Sequence, residues 1–346
     1  MRTITLPKVL ALDPIARFRC FVDPPRFVDS LIAHPDLRFA ARDSQCPTSS
    51  DNVLRGLRIT KKSATNFFKH DSSWSARPDP LEVSGSMSAS KACHVVAVVN
   101  QKGGVGKTTT AVNLAASLAA AEKRTLLIDI DPQGNATSGL GIRKGAFGKT
   151  IYDVMIGQAT LAEASVATEV RNLTLVPATQ DLVAAEIELV DATDRAVRLR
   201  DAISAYLSKN KNDYILFDCP PSLGLLTLNA LVAASEVIVP LQCEYYALEG
   251  LTHLMATIDR VRAGLNPTID VRGVVLTMFD PRNNLAHQVA SEVRGHFHVF
   301  DSIIPRNIRL SEAPSHGKPA LLYDVQSKGA QGYLSLAREL ITQDAS

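Results

Sequence analysis

Asn100-Gln101-Lys102-Gly103-Gly104-Val105-Gly106-Lys107-Thr108-Thr109 is a glycine-rich turn carrying two lysines. It stands between a β-branched run, residues 94–99, and a segment, residues 107–121, with alanine and leucine at helical spacing. A glycine turn that opens a helix leaves backbone N–H groups pointing inward, where they cradle phosphate oxygens. Gly103, Gly104 and Gly106 permit backbone positions and close approaches that a Cβ would hinder. Lys107 is placed to reach β- and γ-phosphates, and the Thr108 hydroxyl to ligand Mg2+. The strict motif has a glycine six positions before Lys107, where Gln101 stands instead. Lys102 is the added feature, a second cation at the start of the turn.

Outward from the turn, strand and helix patterns alternate. Residues 124–130 (RTLLIDI), 173–177, 213–218 (DYILFD), 236–241 and 271–278 read as strands. Helical segments separate them near 197–208, 225–234, 248–263 and 285–296, and residues 331–341 form a tail helix with a narrow apolar face. Continuous apolar strands alternating with helices predict an α/β fold, a mostly parallel sheet with helices on both faces.

Two strands end in acids. The first gives Asp129-Ile130-Asp131-Pro132-Gln133-Gly134-Asn135, and carboxylates at that edge of a parallel sheet face the ligand crevice. Asp129 lies one strand step from that face by alternation and reads as a structural group. The other ends Phe217-Asp218-Cys219-Pro220-Pro221; an aspartate closing an apolar strand suits Asp218 to hold Mg2+, through water. Cys219 lacks a nearby His and reads as a small buried residue rather than a nucleophile.

Composition bounds the rest. The 346 residues are 46% hydrophobic, which excludes wholesale disorder, and no apolar run is long enough to span a membrane. A net charge of +2 excludes a histone-like polycation. Five dispersed cysteines without a CxxC pair argue against a zinc site or a disulfide framework and for a reducing cytoplasm. Residues 1–86 differ from the remainder: they hold 8 of the 18 prolines but 2 of the 19 glycines, with thirteen basic against nine acidic residues. They read as a poorly ordered extension or as sequence upstream of a true start at Met87, with a basic regulatory or DNA-binding arm as the alternative. Residues 87–346 then read as one α/β domain.

KGGVGKTT resembles the deviant Walker A loop of the ParA/MinD group of P-loop ATPases. DPQGNAT at 131–137, AEIELV at 185–190, DCPPSLGLLTL at 218–228, QCEYYALEG at 242–250 and IPRNIRLSEAPSHGKP at 304–319 look like its chromosomal ParA type, often called Soj. The resemblance covers roughly residues 93–341 and implies that residues 87–346 are a ParA-type ATPase domain. It implies an ATP- and Mg2+-dependent ATPase in which residues Lys102 through Thr109 bind the phosphates. Lys102 would reach across a nucleotide-sandwich homodimer, Lys107 would serve the transferring phosphoryl, and Asp131 would orient or activate the attacking water. Pro305 and Asn307 would lie against the adenine. It further implies non-specific DNA binding by a basic strip across the dimer, with Arg282 and Arg309 the leading residues, and release by a ParB-type centromere-binding partner. The location would be cytoplasmic and nucleoid-associated. A MinD-type membrane cycle calls for a basic amphipathic C-terminal helix, and LARELITQDAS, with Glu339 and Asp344 against one Arg, disfavours it. An iron–sulfur reductase lacks suitably placed cysteines. A regulator that only binds ATP is disfavoured by intact Asp131 and Asp218.

Overall fold

The computed structural model describes residues 93–143 and 145–345. The expectation for residues 1–86 lies outside the described residues. In chain order the elements are β1 (His94–Val98), α1 (Lys107–Ala120), β2 (Thr125–Asp129), α2 (Asn135–Gly139), α3 (Ile151–Met155), α4 (Leu161–Ala164), β3 (Val166–Ala167) and β4 (Leu173–Val176). There follow α5 (Leu182–Glu188), α6 (Arg198–Leu207), β5 (Tyr214–Asp218), α7 (Leu225–Ala233), β6 (Glu236–Gln242), α8 (Ala247–Gly264) and β7 (Asp270–Thr277). The chain ends through α9 (Asn284–Arg294), α10 (Ile308–Glu312), a 3-10 turn (Ala313–His316), α11 (Ala320–Tyr323) and α12 (Lys328–Gln343).

The seven strands form one sheet in the order β3-β4-β2-β5-β1-β6-β7. Every pairing is parallel except the edge pair β3–β4. The sequence predicts six of these strands; β3 is two residues long and carries no readable period. β1, β2 and β5 are buried on both faces, as apolar strands covered by helices must be. One core joins the sheet to α6, α7, α8 and α9. The other packs α1 and α12 on the opposite face. Because the chain moves from β1 to β2 on one side and later to β6 and β7 on the other, a crevice opens beyond the C-terminal end of β1.

α1 shows how this face is built. Its sequence KTTTAVNLAASLAA has no charge after Lys107, and eleven of its residues are buried. A helix apolar on all sides belongs between layers. Here α12 covers it, and the buried Tyr333 hydroxyl meets Thr110 Oγ1 at 3.1 Å. Asn113 Oδ1 accepts from the backbone N–H of Ala320 at 2.7 Å, tying α11 to the same helix.

At the opposite end of the sheet, α12 is clamped by an ionic cluster. His94 Nδ1 lies 3.0 Å from Glu236, Arg272 bridges Glu236 and Asp344, and the Tyr214 hydroxyl donates to Asp344. A guanidinium on both carboxylates makes this a structural clamp. The hydrogen bond to Glu236 raises the His94 pKa above its usual value, helped by the charges of Asp344 and Glu236 and opposed by burial and Arg272. A raised folded-state pKa stabilises the fold fully below the unfolded value, about 6.5, and that contribution fades as pH rises through the folded value. The stability gap between wild type and His94→Gln, read from pH-dependent melts, is therefore expected to be largest below about pH 6 and to narrow above about pH 7. Solvent screening limits its titrating part to on the order of 0.5 kcal/mol. A gap that widens with pH would refute the assignment.

Candidate active site

The turn after β1 is held by β6, by β7 and by a contact of its own. Asn100 Nδ2 donates to Pro240 O at 2.7 Å at the end of β6, while its Oδ1 accepts from Lys102 N at 2.9 Å. Thr277 Oγ1, buried at the end of β7, donates to Val105 O at 2.8 Å. Gly104 and Gly106 have φ of +77° and +88°, left-handed values that favour glycine, and Gly106 directly precedes α1. An added Cβ at Gly103 or Gly104 would meet nothing within 4 Å, so that face of the turn is open to a ligand.

Lys107 is buried, and its Nζ donates to Lys102 O at 3.2 Å, curling back over the turn. Burial lowers its pKa, while the charges of Asp218 and Asp131 resist that shift. Asp218 ends β5, in register with Val98 of β1 and with Asp129 of β2. Its carboxylate is fully buried, and among the described residues neither oxygen has a hydrogen-bond partner of good geometry. Burial and the Asp129 charge push its pKa well above the usual carboxylate range; Thr108 and Lys107 favour its charged form. A buried carboxylate with unsatisfied oxygens is costly unless a cation or its bound water supplies partners. Asp218, Thr108 and an open phosphate turn therefore fit a hydrated Mg2+ with a nucleotide. Cys219 is buried with its thiol pushed well above its ordinary range, as its reading as an inert residue requires.

The aspartates at and just past the end of β2 are separated by their hydrogen bonds and not by alternation, which places residues two apart on one face. Asp129 accepts from Thr137 N, Thr137 Oγ1 and Asp131 N at 2.8, 2.7 and 3.1 Å, so it ties α2 to the strand end. Burial raises its pKa to about 6 despite these donors. Asp131 is 6% exposed, accepts from Gln133 N at 3.0 Å, and lies within electrostatic reach of Lys107.

The other expected residues sit around this centre with partners of their own. Lys102 Nζ is ion-paired in cis with Glu244. Pro305 bridges Phe279 beyond the end of β7, and Asn307 Oδ1 caps α10 by accepting from Arg309 N at 2.9 Å. Arg282 is 89% exposed and pairs with Asp280 at 3.0 Å, holding that carboxyl down to about 2. Arg309 pairs with Glu312 and Asp324 at 2.8 and 3.2 Å and lies 6.0 Å over the Tyr323 ring. Three residues that shape the site were not singled out in the sequence: Asn100, Thr277 and Glu244. Each acts through a partner 140 or more residues away.

A phosphate turn at the crevice of a parallel sheet, with two lysines on the turn and an acid closing the adjacent strand, defines a P-loop nucleotide-binding protein of the deviant Walker A type. The AAA domain family matches residues 93–271. The chromosome partitioning protein ParA of Myxococcus xanthus is 59% identical over 252 residues, 72% of this chain and 88% of that protein. The chain belongs to the ParA/Soj family of chromosome-partitioning ATPases. The sporulation initiation inhibitor protein Soj of Bacillus subtilis is 55% identical over 248 residues, 71% of this chain and 97% of that one. Among solved structures, MinD of Pyrococcus horikoshii complexed with Mg-ADP has a TM-score of 0.61 at 25% identity, covering 72% of this chain and 96% of that chain. A cobyrinic acid a,c-diamide synthase of Mycobacterium smegmatis with ADP and magnesium has a TM-score of 0.64 at 35% identity, covering 74% and 96%.

Proposed function

We propose that this ATPase is a DNA-partitioning switch whose ATP-bound state is a sandwich homodimer. The observation that carries the reading is the buried Asp218 carboxylate, whose oxygens lack a hydrogen bond of good geometry, beside Lys107 and Thr108 at the mouth of the phosphate turn. Mg2+ at Asp218 and Thr108 would neutralise phosphate charge. Lys107 holds the β- and γ-phosphates from within the chain, and Lys102 supplies a cation to a second copy's phosphates. Asp131 orients the attacking water and accepts its proton. Pro305 and Asn307, beyond β7, are placed to meet the base. Arg282 and Arg309 join a basic strip that holds DNA phosphates without reading bases. Since the chain carries a net charge of only +2, a strip completed in the dimer makes DNA affinity follow nucleotide state. A ParB-type partner then triggers hydrolysis and release, in a cytoplasmic, nucleoid-associated cycle. No described helix is long and apolar enough to cross a membrane.

The test is retention of random-sequence duplex DNA by the purified chain, alongside anionic liposomes. Retention is expected with ATP and Mg2+, not with ADP or without nucleotide, and is expected to weaken steeply with salt. Lys102→Ala is expected to bind nucleotide, to sediment as a monomer, and to lose DNA retention by at least about tenfold. Nucleotide-independent retention, or ATP-dependent dimers of Lys102→Ala, would overturn the reading. Liposome binding without DNA binding would favour a membrane cycle instead.

A further inference from the structure

Glu244 sits in the loop between β6 and α8. That loop is shaped before any ligand arrives. Glu244 N donates to Gln242 O at 2.8 Å, Ala247 N donates to Glu244 O at 3.0 Å, and Asn100 anchors the nearby Pro240 carbonyl. Facing it, the Lys102 backbone is pinned at both ends: its N–H donates to Asn100 and its carbonyl accepts from Lys107 Nζ. The Lys102 side chain is held by neither of these contacts. Its ammonium rests on Glu244 Oε2, pointing to the β6–α8 loop while the Lys102 carbonyl faces Lys107. The pair is partly solvent-exposed, with side-chain exposures of 37% and 46%.

We propose that Glu244 is a positioning residue for Lys102: in the free chain it holds the ammonium, and a second copy's phosphates must displace it. This rests on the sandwich-dimer reading above. A cation already paired to a carboxylate gains less from a new anion than a free one does. Glu244 thus sets how much ATP-bound protein is needed before two copies close. Because the pair is exposed, the competition is modest and screened by salt.

The experiment measures dimer fraction by sedimentation velocity for the full chain with Mg2+ and a non-hydrolysable ATP analogue. Wild type, Glu244→Gln and Glu244→Asp are compared across protein concentration, and fluorescent ADP reports binding to the monomer. Glu244→Gln is expected to reach half-dimerisation at roughly two- to fivefold lower protein concentration, with ADP affinity unchanged. The gap is expected to shrink as salt rises. Glu244→Asp, which keeps the charge, is expected to return toward wild type. A wild type that dimerises while Glu244→Gln does so equally or less readily overturns the positioning role and leaves the sandwich intact. The less ready outcome would place Glu244 among contacts made in the closed dimer. A wild type that stays monomeric with the analogue overturns both.

Discussion

Lys107→Ala is expected to lose ATP binding by thirtyfold to several thousandfold, measured by calorimetry with ATP and Mg2+. The argument starts from burial. Lys107 is 7% exposed, and its ammonium is already displaced toward neutrality by desolvation. Negative charge at Asp218 and Asp131 opposes that displacement. Its Nζ lies on the Lys102 carbonyl, over the same turn whose glycines leave an open face. A phosphate arriving there meets a cation whose water has been removed in advance. Truncating one member of such a buried charge pair costs about 2–5 kcal/mol, which gives the stated range. Lys107→Arg is not expected to rescue, because a planar guanidinium does not reproduce the compact ammonium that curls onto the Lys102 carbonyl. Binding within threefold of wild type in Lys107→Ala would mean that the turn's N–H groups and Mg2+ carry the affinity alone.

That site is legible in sequence to the extent that its parts are contiguous. The phosphate turn is one uninterrupted decapeptide, so its flanks and glycines can be read together. Asp218 is legible as an acid closing an apolar strand, but its place is not. Only the strand order puts β5 between β1 and β2 and so brings Asp218 beside the turn. The distinction between Asp129 and Asp131 is not legible from strand alternation, which puts residues two apart on one face; it appears only in the hydrogen bonds of Asp129 to Thr137.

What escapes the sequence is of two kinds. The two-residue strand β3 and helices of four or five residues, such as α2 and α4, are shorter than a readable period. The start of α12 is displaced for a different reason. Ser327 Oγ accepts from Ala330 N and begins the helix at Lys328, while Gly329 and Gly332 weaken the helical pattern there. The second kind is long-range pairing. In the pairs Asn100 with the Pro240 carbonyl, Thr277 with the Val105 carbonyl and Lys102 with Glu244, nothing in either segment alone names the partner. Their work exists only once β1, β6 and β7 lie side by side.

Asp131→Ala is expected to bind ATP, dimerise and retain DNA while its steady-state hydrolysis falls by about 10²–10⁴-fold, the usual contribution of a positioned base. Asp129, which ends β2, and Asp131, just beyond it, are both buried acids, and they differ in what they already hold. Asp129 is filled by three donors and fastens Thr137, which in turn takes the Ala178 N–H at 3.0 Å. Removing it leaves those donors unpaired and is expected to cost stability, on the order of 3 kcal/mol. Asp131 holds one backbone N–H of its own turn, so its loss disturbs little of the fold. Its charge nonetheless reaches Lys107 of the phosphate turn. Phosphate release and thermal melting separate the two. Asp131→Ala is expected to melt close to wild type with turnover nearly gone, and Asp129→Ala to melt early. If Asp131→Ala turns over ATP within threefold of wild type, the proton of the attacking water goes elsewhere, and Asp131 is only a turn former.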